Sequence, residues 1–253
     1  MPRALILILL AGATTSATAA PVRDADQAGR YRACLDLVQS SPDQAIDRAM
    51  QWRGNANGGV PARHCLALAY VARGSYAEAA TALEATARAA EAEGDPNVAD
   101  LWGQAGNAAL LAGQPAAALA YLSSGITASG NAPQRTAALL VDRARAAVEL
   151  KQLTAARADL DRATRLDTAS PFGWLLRATL ARREHDLPAA ERAILEAARR
   201  APNDPDVGVE AGNIAAAQGK NVLARSAWTA VVKGAPGSPA ADAATKALAE
   251  NPG

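Results

Sequence analysis

The sequence contains few of the residues that enzymes and metal sites most often use. Aromatic residues make up 4% of the 253 positions, and there are two histidines and two cysteines. His64 and His185 have no second metal ligand at a usual spacing. The sequence has neither a glycine-rich phosphate loop nor a G-x-S-x-G nucleophile motif. We therefore predict no catalytic residue, no metal site and no cofactor, and we expect a protein that is not an enzyme.

The chain also lacks an excess of charge of either sign. Lys and Arg total 26, Asp and Glu total 25, and the formal net charge at pH 7 is +1. Nucleic-acid binding normally requires a concentrated basic face. The arginine pairs Arg182–Arg183 and Arg199–Arg200 are interpreted as solvated helix faces. The charge pattern thus predicts no nucleic-acid partner.

Long apolar runs are absent after the first residues, which have the pattern of a secretory signal peptide. Arg3 supplies a positive charge, residues 4–11 are apolar, and Ala17-Thr18-Ala19 matches the A-x-A cleavage pattern. We predict that residues 1–19 are removed and that the mature bacterial protein is periplasmic or secreted, with no membrane span. An uncleaved N-terminal anchor is the alternative, although the run is shorter than the ~20 residues that cross a bilayer.

Alanine, by contrast, is abundant and recurs at a fixed period. Alanine is the best helix former, and alternating apolar and polar stretches typical of strands are missing. The spacing is 34 residues in the second half of the chain and 38 or 39 before it, along the series Ala79, Ala118, Ala156, Ala190 and Ala224. Pro202 and Pro236 are also 34 residues apart. A period of this size predicts stacked helix pairs.

This period and the placement of small residues resemble the tetratricopeptide repeat (TPR) over about residues 60–238. Leu66 to Tyr70 fits the L-G-x2-Y part of the family pattern with Ala67 for glycine, and Trp102 and Gly106 open another unit. The resemblance implies an all-α, right-handed α-solenoid of antiparallel helix pairs, with about five to six repeats and a C-terminal capping helix. One helix of each pair should approach the other closely at a small residue: Ala67, Gly106, Ala144, Ala178 or Gly212.

The repeat register also sets the expected domain boundaries. Residues 20–59 are interpreted as a degenerate first repeat followed by a loop, with a break at Ser41-Pro42 and a new helix starting at Pro61. Residues 60–250 are interpreted as the TPR solenoid with its capping helix. Lys151 and His185 depart from the family pattern because they replace the glycine between the two helices of a unit.

The TPR resemblance further implies a concave groove lined by the first helix of each repeat. In that family, the ninth position is often an asparagine that binds the backbone of a peptide. The residues predicted to form a polar groove here are Asn107, Arg145, Thr179, Arg182 and Asn213. The alternative for each of them is an ordinary exposed helical side chain.

Cys34 and Cys65 are expected in the first helices of consecutive units, which pack side by side in TPR proteins. An exported chain with an even number of cysteines favours a disulfide between them, and two buried free thiols are the alternative.

We predict a non-enzymatic TPR scaffold or adaptor in the cell envelope that binds an unidentified envelope protein or peptide. The alternative is a permanently bound structural accessory subunit of an envelope export or assembly complex. The sequence does not indicate the oligomeric state.

Overall fold

A computed structural model of the chain describes residues 22–54 and 58–252. These residues form thirteen helices and no strand. The predicted signal peptide, residues 1–19, and positions 55–57 of the predicted loop lie outside the described residues. The helices are α1 (Val22–Ser40), α2 (Pro42–Gly54), α3 (Gly59–Arg73), α4 (Tyr76–Glu93), α5 (Val98–Leu111), α6 (Pro115–Ala128), α7 (Pro133–Glu149), α8 (Leu153–Leu166), α9 (Pro171–Arg183), α10 (Leu187–Arg200), α11 (Pro205–Ala217), α12 (Asn221–Gly234) and α13 (Pro239–Glu250).

Consecutive helices pack as pairs, and the pairs stack along the chain. Odd-numbered helices also contact the next odd-numbered helix, as in α1–α3, α5–α7, α7–α9, α9–α11 and α11–α13. The odd-numbered helices therefore share one face of the molecule. Within the described part of the chain, six pairs precede a single last helix, so the predicted helical solenoid is confirmed.

Small residues set the distance between the two helices of a pair. A Cβ atom added to Gly106 on α5 would lie less than 3.0 Å from the Leu122 side chain on α6. The same addition at Gly212 on α11 would collide with the indole of Trp228 on α12. Because Leu122 and Trp228 are almost wholly buried, neither has free space to move into.

The turn between the two helices of a unit requires a left-handed residue in several repeats. Gly74 (φ 81°), Gly113 (φ 70°) and Gly219 (φ 74°) occupy this turn, and Lys151 (φ 58°) and His185 (φ 61°) adopt the same conformation in the two units that lack the glycine. The register read from the sequence therefore locates the turn correctly, although a side chain in this conformation is strained.

Helix α3 begins at Gly59, two residues before the predicted start at Pro61. The amide of Ala62 donates to the carbonyl of Gly58 (2.9 Å), so the first helical turn already includes Pro61. Proline is compatible with the first turn because the amide it lacks would have no partner there.

The last helix, α13, covers the end of the stack. Its residues Ala240, Ala241 and Ala244 are buried against α11 and α12. Its other side carries exposed Asp242, Lys246 and other polar residues. A polar outer face is what a capping helix needs, because no further repeat covers it.

None of the helices in the described ranges is long and apolar enough to cross a membrane.

Candidate functional site

The five predicted groove residues all lie on odd-numbered helices, on the face that these helices share. Asn107 is on α5, Arg145 on α7, Thr179 and Arg182 on α9, and Asn213 on α11. None of the five side chains is fully buried. The structure therefore brings them to one face but divides them into two hydrogen-bonded clusters with Thr179 between.

The first cluster joins α5 to α7. Asn107 donates from Nδ2 to Oδ2 of Asp142 (2.8 Å), and Arg145 donates from Nη1 to Oδ1 of Asp142 (3.1 Å) and to Oδ1 of Asn107 (3.3 Å). Because Nε and Nη2 of Arg145 make no hydrogen bond within the described ranges, the guanidinium retains donors for a ligand.

The second cluster joins α9 to α11. Arg182 donates from Nε to Oε1 of Glu210 (2.7 Å) and from Nη2 to Oε2 (3.1 Å). Asn213 donates to Glu210 (3.4 Å) and accepts a hydrogen bond from the indole of Trp228 (3.2 Å). Arg182 and Asn213 therefore form hydrogen bonds within the protein. Their role is to hold the groove wall in position and not to bind a ligand.

A third contact joins α3 to α5 through His64. Its Nε2 is 2.8 Å from Oε1 of Gln104, and its Nδ1 is 2.7 Å from the hydroxyl of Tyr31 on α1. A neutral imidazole satisfies both contacts by donating to Gln104 and accepting from Tyr31. Burial lowers the pKa of His64, while the hydrogen bond to Gln104 and the negative charge of Asp95 act in the opposite direction.

The side chains that accept these contacts occupy one register position of the repeat. Gln104, Asp142 and Glu210 follow the repeat spacing of 38 residues and then twice 34. At the intervening α9 position the residue is Leu176, which cannot form such a bond. No side-chain hydrogen bond or ion pair links α7 to α9 in the described part of the chain.

A cavity of about 190 Å³ opens at this α7–α9 junction. We call it the α7–α9 cavity. Its walls come from α7, α8 and α9, and its lining is Ala144, Arg145, Val148, Glu149, Leu160, Leu176, Thr179, Leu180 and Arg183. Arg145 and Thr179 are thus the two predicted residues that line this cavity.

A second cavity of about 170 Å³ lies beside the other end of the α7–α9 junction. It is lined in part by Val141, Asp142 and Phe172, and the Phe172 side chain is exposed. Asp142 therefore belongs both to the first polar cluster and to this cavity. Together the two cavities follow the junction between α7 and α9, where a partner could contact apolar surface and charged groups at once.

The charges around the α7–α9 cavity are not fully neutralised by internal partners. Arg183 and Glu149 are exposed and make no hydrogen bond or ion pair with any other described residue. They occupy equivalent positions, the last residue of α9 and of α7. Arg145 also lines the cavity, and its charge is paired with that of Asp142.

The described residues contain no group of three or more His, Cys, Asp or Glu side chains that would hold a metal ion. The groups present at the α7–α9 junction are suited to hydrogen bonding, ion pairing and apolar contact with another chain.

The structure joins Cys34 on α1 to Cys65 on α3, with 6.3 Å between their Cα atoms. This Cα separation lies within the usual range for a disulfide. The bond lies next to the Tyr31–His64 contact in the sequence and in the fold, so α1 is fastened to α3 at two adjacent points.

The candidate site also includes Gln104, Asp142, Leu176 and Glu210, which the sequence-based prediction omitted. The repeat spacing relates all four positions, so a comparison of equivalent positions would have found them. It would not have shown which of them accept a hydrogen bond from the preceding repeat.

Solved structures share this fold along most of their length. PilF of Pseudomonas aeruginosa is 18% identical, with a TM-score of 0.64, and the match covers 90% of this chain and 99% of PilF. PilW, described as a widely conserved type IV pilus biogenesis factor, is 15% identical, with a TM-score of 0.67 and coverage of 88% and 98%. YrrB, described as a TPR protein with an unusual peptide-binding site, is 17% identical, with a TM-score of 0.51 and coverage of 78% and 96%.

No protein-family model and no curated protein sequence matches the chain. At identities this low, the structural likeness shows a shared fold, and the function has to be argued from the residues of this chain.

Proposed function

We propose that this chain, which has the tetratricopeptide-repeat fold, is a non-catalytic scaffold that binds a protein or peptide of the cell envelope along the α7–α9 junction. The observation that carries the proposal is the α7–α9 cavity, which combines apolar walls with charged groups that have no internal partner. Interaction sites commonly combine a buried apolar contact with a few polar groups that set orientation.

Two further observations support the envelope location. The first nineteen residues have the pattern of a signal peptide. PilW, which shares the fold, is described as a type IV pilus biogenesis factor. A scaffold that is exported and that holds an assembly partner in the envelope is consistent with both.

The residues differ in the role that we assign to them. Arg145 and Thr179 contact the partner directly, because they border the cavity. Asn107 fixes Arg145 through Asp142, and Arg182 and Asn213 hold α11 against α9 through Glu210. Of the five residues predicted to form the polar groove, two are thus assigned direct contacts with the partner and three are assigned positioning roles.

A matched pair of variants tests the proposal. Thr179→Arg places a large side chain in the cavity, and Thr154→Arg makes the same substitution at an exposed site on α8. The full chain and both variants are expressed in the native host, crosslinked and purified from the envelope fraction. We expect the crosslinked partner to be lost with Thr179→Arg and retained with Thr154→Arg, at equal amounts of folded protein.

Retention of the same partner by both variants would place the contact outside the groove. It would favour the alternative of a permanently bound accessory subunit. The chain offers a second surface for that case, since Val222 and Leu223 at the start of α12 are apolar and exposed.

A further inference from the structure

The junction between α7 and α9 differs from its neighbours at one register position. Gln104, Asp142 and Glu210 each accept a hydrogen bond from the preceding odd-numbered helix. Leu176 occupies the equivalent position in α9 and makes no such bond. No side-chain hydrogen bond crosses this junction within the described ranges, and the α7–α9 cavity opens there with Leu176 in its lining.

We propose that the α7–α9 cavity is a specificity subsite for an apolar side chain that neighbours a carboxylate in the bound polypeptide. The proposal rests on the groove function described above and adds the chemistry of the residue that enters it.

The apolar half of the proposal follows from the cavity walls. Among its lining residues, Ala144, Leu160 and Leu180 are buried, and Val148 and Leu176 are partly exposed. These five side chains offer no hydrogen bond. A polar side chain that entered would lose its hydrogen bonds to water without replacement, whereas an apolar side chain would gain contact.

The acidic half follows from the charges at the rim. Arg183 has no ion-pair partner in the described ranges, and the guanidinium of Arg145 keeps two nitrogens without a hydrogen bond. Glu149 is the single carboxylate of the lining. The charge of Arg145 is already paired with Asp142. Its remaining donors and those of Arg183 offer a bound carboxylate more hydrogen-bonding groups than Glu149 offers an ammonium group, and arginine can bind a carboxylate through two N–H groups.

Leu176→Glu is the most direct test. It introduces a hydrogen-bond acceptor at the repeat position that Gln104, Asp142 and Glu210 occupy in other odd-numbered helices. Asp142 and Glu210 show that α7 and α11 fold with a carboxylate there. In the variant, the new carboxylate lies in the cavity that Arg145 and Arg183 also line, and it takes up the space and the arginine donors that a ligand would use. Leu176→Met is the control, because it keeps an apolar wall of similar volume.

The probes are short synthetic peptides that differ in their central pair, which is Leu-Asp, Leu-Lys or Ser-Asp. Their binding to the full chain is measured by fluorescence anisotropy. We expect the Leu-Asp peptide to bind about tenfold more tightly than either of the others, which corresponds to about 1.4 kcal/mol. Leu176→Glu should abolish this preference and Leu176→Met should keep it. Arg183→Gln should reduce the preference for Asp over Lys.

Two outcomes would overturn the subsite. One is equal binding of the three peptides. The other is no measurable binding of any peptide while the Thr179-dependent crosslink to the envelope partner persists, which would reject the subsite and leave the groove function in place. If the crosslink to the envelope partner did not depend on Thr179, both the subsite and the groove function would be rejected.

Discussion

The guanidinium of Arg182 on α9 holds both carboxylate oxygens of Glu210 on α11, with donor–acceptor distances of 2.7 and 3.1 Å. The Glu210 side chain is 7% exposed and that of Arg182 is 26% exposed. This pair connects two consecutive repeats on the face formed by the odd-numbered helices. Its geometry is the two-point contact that makes arginine the strongest partner for a carboxylate.

Removal of Arg182 should destabilise the protein, because Glu210 would be left buried without its partner. We expect Arg182→Ala to lower the free energy of unfolding by about 2–4 kcal/mol. Urea denaturation followed by circular dichroism measures the change. The control is Arg199→Ala, which breaks the exposed contact with Glu196 and should have little effect. An equal effect of the two substitutions would contradict a structural role for Arg182.

Gly106 and Gly212 give a second prediction, because the expected change in stability has the opposite sign to the one that helix propensity alone predicts. Gly106→Ala and Gly212→Ala should each lower the free energy of unfolding by about 1–3 kcal/mol, because the new methyl group meets Leu122 or Trp228. Gly29→Ala on α1 has open space around its Cβ position and should be neutral or stabilising by up to about 1 kcal/mol. Thermal unfolding of the three variants would reveal whether the first two substitutions lower the stability while Gly29→Ala does not.

His64 gives a prediction for the dependence of stability on pH. Burial lowers its pKa in the folded protein, so the unfolded chain takes up a proton at a higher pH than the folded chain. The neutral imidazole therefore makes its full contribution to the free energy of unfolding above the unfolded pKa of about 6.5. This contribution is lost as the pH falls towards the lower pKa that His64 has in the folded protein.

Comparison of the native chain with His64→Gln by urea denaturation between neutral and mildly acidic pH tests this. The native chain should lose more stability than the variant over this range, because glutamine does not titrate. Parallel curves would show that the contacts of His64 with Tyr31 and Gln104 are insensitive to its protonation.

The cysteine pair gives a fourth prediction. Thiol labelling of denatured, unreduced protein should detect no free thiol, because the structure joins Cys34 to Cys65. The sequence separation of 31 predicts that the bond contributes about 3–4 kcal/mol by restricting the unfolded chain. Two labelled thiols would rule out the bond. Cys34→Ser combined with Cys65→Ser measures the contribution to stability.

Much of the fold was predictable from the sequence because each repeat uses the same small residues at the same spacing. The periodic alanines locate the second helices, and the register identifies Lys151 and His185 as the turn residues even though neither is glycine. The positions of the second helices and of the turns are local features, since they depend on helix packing within one unit.

The partners of the groove residues were not predictable in the same way. The sequence identified Arg182 and Asn213 as residues of the exposed face, but it did not show that Glu210 engages both. Such contacts join helices of different repeats, and they depend on the rotation between units and on the direction of each side chain. The open α7–α9 cavity depends on the same rotation, so it became visible with the structure.

Site-specific photocrosslinking tests the central claim most directly. A photoreactive amino acid is placed at Val148, which is in the α7–α9 cavity, or at Leu195, which is exposed on α10. After irradiation of cells that contain the full chain, we expect an envelope protein to be crosslinked from position 148 and not from position 195. Crosslinking of that protein from position 195 and not from position 148 would contradict binding in the groove.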